Sequence, residues 1–148
     1  MQDNAPSSLP AKAQRKPEAA PSGGARVLIL GGDTSTASTL GGVLRHDGRS
    51  VQIVTDSTSA LSALADGEFD LLLADLDEAD PKSQDVLDQA QRTTPATTVV
   101  VLTGYATLES ALRALRRGVY DYLVKPVDVE ELRITVARAL ERHRLQHE

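Results

Sequence analysis

The chain contains no cysteine, which excludes disulfides, thiolate catalysis and cysteine–metal sites. It has no excess of positive charge either. Sixteen Lys and Arg stand against 21 Asp and Glu, a formal charge of -5, so no nucleic-acid surface is expected. No apolar run approaches the roughly 20 residues needed to cross a bilayer. The first residues lack the apolar stretch of a secretory signal, and a cytoplasmic setting is the expectation. The nucleotide fingerprints G-x-G-x-x-G and G-x-x-x-x-G-K-[ST] do not occur. The nucleophile elbow G-x-S-x-G is missing as well. What is present is ordinary for a globular domain: 148 residues, 41% hydrophobic and 25% charged, enough chain for one core.

Residues 1–24 stand apart from the rest. They hold four of the seven prolines (Pro6, Pro10, Pro17 and Pro21) and, after Met1, Leu9 as the one sizeable aliphatic side chain. Such a segment cannot offset the entropy of ordering, so it reads as a disordered Pro/Ala-rich tail. The folded domain is expected over 25–143, with 144–148 as a fraying C-terminus.

From Arg26 onward two periodicities alternate. Apolar runs of strand length occur at 27–30, 51–54, 70–74, 98–102 and 121–124. Helical stripes lie between them: Thr36, Leu40, Val43 and Leu44; Ala60, Leu61 and Leu64; Val86, Leu87 and Ala90; Leu108, Ala111, Leu112 and Leu115; and finally Val129, Leu132, Val136, Ala139 and Leu140. Asp56 or Ser57 is placed to cap the second helix, and Asp128 with Glu131 reads as a capping box for the fifth. Gly48, Gly67 and Gly118 sit where helices should stop. Gly41 and Gly42 weaken the first helix by roughly 1 kcal/mol each relative to Ala, so packing must hold it or the pair admits a close neighbour. Five β-α repeats with near-continuous apolar strands predict an α/β fold, a parallel sheet covered on both faces. Rossmann-like and flavodoxin-like strand orders both fit, and both put the functional corner at the C-terminal ends of the strands.

Those ends carry distinct chemistry. The first gives Gly31, Gly32 and Asp33; the third gives Asp75, then Asp77 and Glu78; the fourth gives Thr103 and Gly104; the fifth gives Lys125 and Pro126. Taken singly, an Asp closing a strand is a turn residue and a Thr there is a cap. Together a carboxylate, a hydroxyl and an ammonium suit a phosphoryl group, with Asp as acceptor and the other two binding its oxygens. Other classes fit less well. A nucleotide- or anion-binding flavodoxin-like protein would use the Gly31-Gly32 loop at a helix start, but an adjacent glycine pair lacks the fingerprint spacing. A hydrolase with Thr103 or Ser35 as nucleophile lacks a histidine near the strand ends. His143 and His147 share an i, i+4 face, yet no third ligand is fixed nearby, and they read as solvated surface histidines.

The stretch LTGYATLESALRALRRGVYDYLVKPVDVEELRITVARAL, with FDLLLADL and ALSAL in support, resembles the receiver domains of two-component response regulators. The resemblance runs from Arg26 to about Arg142. It implies a flavodoxin-like (βα)5 fold, with strand order 2-1-3-4-5 and helices on both faces. It places Asp75 on the phospho-acceptor, Thr103 on the switch hydroxyl, Tyr122 on the switch aromatic and Lys125 on the conserved-type lysine. Pro126 falls where the Lys–Pro bond is commonly cis in the family. The implied role is phosphorelay signalling rather than enzymatic turnover. The implied partners are a histidine kinase or a downstream signalling protein, with a homodimer through the fourth-helix, fifth-strand, fifth-helix face as a further possibility. Arg113, Arg116 and Arg117 lie on that fourth helix, and Glu130, Glu131 and Glu141 on the fifth.

Two departures touch the metal side of the site. Receivers end the first strand in an acidic pair that holds Mg²⁺; here the positions are Gly31 and Gly32, and Asp33 just beyond reads as a helix cap. The family's Met-Pro-Gly loop after the acceptor is replaced by DEADPKS. A standard corner has three carboxylates and one lysine, a net charge that attracts a divalent cation. Asp75 and Lys125 alone sum to zero and can satisfy each other. Weak Mg²⁺ binding, or none, and slow phosphorylation are expected, since the cation supplies most of the electrostatic help to phosphoryl transfer. Asp77, Glu78 or Asp33 are the candidate substitute ligands, because hard oxygen ligands are interchangeable where geometry permits. With one of them in place, the domain would work as an ordinary receiver phosphorylated on Asp75 by a histidine kinase.

Overall fold

The structure is a computed structural model that describes residues 24–31, 34–75, 82–93, 96–104, 113 and 115–146. Residues 1–23 of the predicted tail, Gly32, Asp33, Asp77, Glu78 and His147 lie outside the described residues. In chain order the elements are β1 (Arg26–Leu30), α1 (Thr34–His46), β2 (Ser50–Val54), α2 (Ser57–Asp66), β3 (Leu71–Asp75), α3 (Ser83–Arg92), β4 (Thr98–Thr103), β5 (Asp121–Val124) and α4 (Val129–Gln146). All strands are parallel, in the order β2-β1-β3-β4-β5, which is the flavodoxin-like order. The helix expected over 108–115 is described only at 113, 115 and 116, which are helical. The helix that the sequence places fifth is therefore α4. Among the described residues no helix is long and apolar enough to cross a membrane.

The sheet is buried on both sides, and this explains the unbroken apolar runs. Alternate residues of a strand point to opposite faces. Leu28, Leu30, Leu72, Ala74, Val99 and Val101 pack with Ala60 and Leu64 of α2 and Val86, Leu87 and Ala90 of α3. Val27, Ile29, Leu71, Leu73, Val100, Leu102 and Leu123 pack with Ala37, Leu40 and Leu44 of α1 and Leu132, Val136 and Ala139 of α4. Leu71, Leu72 and Leu73 are fully buried, and each contributes roughly 1.5–3 kcal/mol. Two stripe members expected inside are at the surface: Leu115 is 43% exposed and Val129, on the first turn of α4, is 37% exposed.

The local signals act as their chemistry dictates. The Asp56 side chain accepts from the Ser59 amide at 2.7 Å and caps α2. Asp128 accepts from the Glu131 amide at 2.9 Å, one half of the expected capping box. Gly48 follows α1 with a φ of 92° and Gly118 precedes β5 with a φ of 93°, conformations that side chains rarely adopt. The α1 glycines differ from one another. A Cβ on Gly41 would lie 3.1 Å from Ile53 Cδ1 and 3.4 Å from Val51 Cγ1, so this glycine lets α1 sit close on β1 and β2. A Cβ on Gly42 would meet nothing within 4 Å.

α4 corrects the reading of His143. It is helical through Gln146, past the expected end of the domain at 143. His143 is 6% exposed, not solvated: Nε2 lies 3.1 Å from Asp70 Oδ1, and Nδ1 lies 3.5 Å from Thr98 Oγ1. The periodicity carried the signal, because 143 follows the buried positions 132, 136 and 139 on one helical stripe.

Two measurements check this packing. Gly42→Ala should raise stability by about 0.5–1 kcal/mol in urea unfolding, through helix propensity alone. Gly41→Val should lower it by about 1–3 kcal/mol, through overpacking against Ile53 and Val51. At the far end of α1 the Arg133 hydrogen bond (2.9 Å) holds the Asp47 carboxyl below the usual aspartate range. Desolvation opposes this, and the charges of Arg133, Arg49 and His46 reinforce it. The stability it adds is present above the unfolded aspartate value and is lost as pH falls through the lowered folded value. In a carboxyl-detected NMR titration, Arg133→Gln should move the Asp47 midpoint back up toward the ordinary value.

Candidate phosphoryl site at the strand ends

Three strand termini form one edge. β3 is one residue offset from the predicted run and ends on Asp75 itself, paired in register with Leu102 of β4. β4 ends on Thr103, which pairs with Val124, the last residue of β5. Lys125 follows at once, and its amide donates to the Thr103 carbonyl at 2.8 Å, extending the β4–β5 ladder by one step. That step carries the lysine round the edge of the sheet. Its Nζ donates to Asp75 Oδ2 at 2.8 Å. The Lys125–Pro126 peptide bond is cis, as the resemblance implies.

The pair is unequally buried. The Asp75 side chain is 3% exposed and that of Lys125 is 22% exposed. A carboxylate so far from water is stable as an anion only with partners, and the short charge-assisted bond to Lys125 is one of them.

Tyr122 pairs with Val101 in the β4–β5 register, two steps below Thr103. With a period of two, Tyr122 and Thr103 stand on the same face of neighbouring strands. Tyr122 is half-buried and rests on the cluster between the sheet and helices α2 and α3. The aromatic and the hydroxyl thus share one side of the sheet at its functional edge.

The metal side looks different. Gly31 is buried, and its amide donates to the Val54 carbonyl at 3.0 Å, continuing the β1–β2 pairing past the end of the strand. It brings no side-chain oxygen to the corner. Gly32 and the candidate ligands Asp33, Asp77 and Glu78 lie outside the described residues. Among the described residues, no group of three or more His, Asp or Glu side chains is placed to hold a metal ion. The described donor set at the corner is one carboxylate already paired with a lysine, which is a poor fit to Mg²⁺, a cation bound through carboxylates and phosphate oxygens. The arrangement can stabilise a carboxylate, or an anionic group built on it, through an ammonium.

Sequence reasoning named Asp75, Thr103 and Lys125, which the structure places at these strand ends, but missed the near-complete burial of Asp75. The flanking apolar run, LLLAD ending a strand buried at every position, carried that signal.

Comparison with known proteins agrees with the geometry. Residues 27–137 match the family model of the response regulator receiver domain. The transcriptional regulatory protein ZraR of Klebsiella oxytoca is 31% identical over 119 residues, which are 80% of this chain and 27% of that protein. The nitrogen assimilation regulatory protein NtrX of Azorhizobium caulinodans is 30% identical over 124 residues, 82% of this chain and 27% of its own length. The chain thus spans about a quarter of the curated relatives it matches. Among solved structures, the signal receiver domain of a putative LuxO repressor protein from Vibrio parahaemolyticus superposes with a TM-score of 0.77 at 25% identity, covering 83% of this chain and 95% of that one. A CheY-like receiver domain from Methanospirillum hungatei gives 0.76 at 26% identity, covering 83% and 98%. With its strand order, its Asp75–Lys125 edge and a family match over most of its length, this chain belongs to the response regulator receiver domains of two-component signalling.

Proposed function

We propose that this receiver keeps its acceptor corner without a tightly bound divalent cation, takes a phosphoryl group slowly, and signals through contacts with protein partners. The closed Asp75–Lys125 pair, at 2.8 Å with the carboxylate 3% exposed, carries the reading. Two opposite charges at that distance leave no surplus negative charge to recruit Mg²⁺, and Gly31 adds none. An in-line attack by Asp75 requires an oxygen freed from the lysine and a positive charge on the incoming phosphoryl oxygens. Lys125 can supply one such charge, and Thr103 a hydrogen bond. The second charge that Mg²⁺ supplies in phosphoryl transfer has no described ligand set here.

A specific observation favours a second reading, ordinary phosphorylation of Asp75 by a histidine kinase. Thr103 and Tyr122 sit on one face of adjacent strands, as a switch pair needs. Asp77, Glu78 or Asp33 would then complete the metal site.

The partner surface follows from exposed apolar side chains on β5, on α4 and in the helical residues before β5. Leu115, Val124, Val129, Ile134 and Leu145 are 43, 44, 37, 45 and 57% exposed. Arg113, Arg116 and Arg117 are exposed on the segment before β5, and Glu130, Glu131 and Glu141 are exposed on α4. Exposed apolar side chains among charges of both signs suit a signalling partner or a second copy related by a two-fold axis.

Three outcomes test the proposal. A small phosphodonor should label Asp75 slowly, with a rate that changes less than about threefold between chelator and millimolar Mg²⁺; saturable, Mg²⁺-dependent labelling would establish the second reading. Gly31→Asp with Gly32→Asp should raise Mg²⁺ affinity and make labelling cation-dependent, as two added carboxylates restore the missing charge. Lys125→Met should destabilise the domain by about 2–3 kcal/mol at neutral pH, less than for a fully buried pair because Lys125 keeps solvent contact, and Asp75→Asn in the same chain should recover part of the loss.

A further inference from the structure

The last turns of α4 are held to the sheet by polar contacts more than by apolar packing. The buried residues of this helix are Leu132, Thr135, Val136, Ala139 and His143. After Ala139, Leu140 is half-buried and His143 alone is buried; 141, 142 and 144–146 are exposed. Leu140 packs against the cluster between the sheet and helices α1 and α4, and two further contacts of this segment are at the surface. Arg144 bonds Glu141 at 2.6 Å on the same helix, and the Arg142 guanidinium lies 5.1 Å from the Tyr120 ring. Exposed contacts of this kind contribute little.

His143 instead reaches a hub. Asp70 takes the His143 ring on Oδ1 at 3.1 Å and the Arg26 amide on Oδ2 at 2.8 Å. Its own amide donates to the Arg26 carbonyl at 2.8 Å, and its carbonyl accepts from the Thr98 amide at 3.1 Å. One residue thus joins the starts of β1, β3 and β4 to the end of the last helix. It does so at the opposite end of β3 from Asp75.

We propose that the His143–Asp70 contact is a separable latch. When it opens, the turns of α4 from Leu140 onward leave the sheet as a unit while the rest of the domain, including the Asp75 corner, stays folded. Local opening of this kind follows the pattern of buried contacts, and beyond Ala139 the described helix end has one buried side chain, His143. The latch also governs an open groove of about 520 Å³ between Tyr120 and the helix end. Its walls include Arg138, Glu141, Arg142 and Leu145, three of which lie on the turns the latch holds. This rests on the partner-face reading only in making the groove an available surface; the latch itself does not depend on how Asp75 is used.

Amide hydrogen exchange on the intact chain tests it. His143→Ala should speed exchange at residues 140–146 by tenfold or more, with less than about a twofold change in the turn around Leu132 and in β3 and β4. Asp70→Asn, which keeps an acceptor for the Arg26 amide, should do the same, and the double variant should add little to either single one. Phosphodonor labelling of Asp75 should stay within about twofold of the parent in all three, whatever its Mg²⁺ dependence. Uniformly faster exchange across the domain would overturn the proposal by making His143 a general core residue. Unchanged exchange at 140–146 would overturn it by showing that Leu140 and the surface contacts suffice.

Discussion

The arrangement depends on burying both faces of one parallel sheet. Each central strand must supply apolar side chains in both directions, and nothing polar can interrupt it until the strand leaves the core. Chemistry is therefore pushed to the ends. β3 shows the rule most plainly, with three fully buried leucines and an alanine, then Asp75 at the last position the sheet allows. Parallel pairing makes all such ends of one kind face the same way. Asp75 and Lys125 meet although 50 residues separate them, and Thr103 ends the strand between theirs.

At that edge two opposite charges meet. An ammonium at 2.8 Å satisfies a buried carboxylate from within the protein, whereas a cluster of carboxylates would require an external cation. The glycine at the end of β1 is a change from the acidic residue that the family resemblance implies there, and it adds no carboxylate to the corner. The hydroxyl and the aromatic on β4 and β5 do not depend on that change, because their placement comes from strand register.

Much of this was legible in the sequence because the strands and stripes are strongly periodic. The five strands fall within a residue of the predicted runs, and the capping aspartates at 56 and 128 act as their positions suggest. Strand order was not legible from periodicity, which leaves two windings open; the family resemblance selected one. Tertiary burial was harder. Nothing local distinguishes Gly41, pressed on Ile53, from Gly42, facing open space. His143 was misread because the polar residues around it outweighed its place on the buried stripe, and its partner Asp70 lies 73 residues earlier in the chain. Distant polar pairs leave no periodic trace.

β3 begins next to one acidic residue and ends on another, and the groups that meet them, His143 and Lys125, both come from the final 24 residues. A ribosome-bound chain that has emerged only as far as β4 has neither. The domain thus completes its central strand's electrostatics only once β5 and α4 are made, and a truncation ahead of position 125 would forfeit both ties at once.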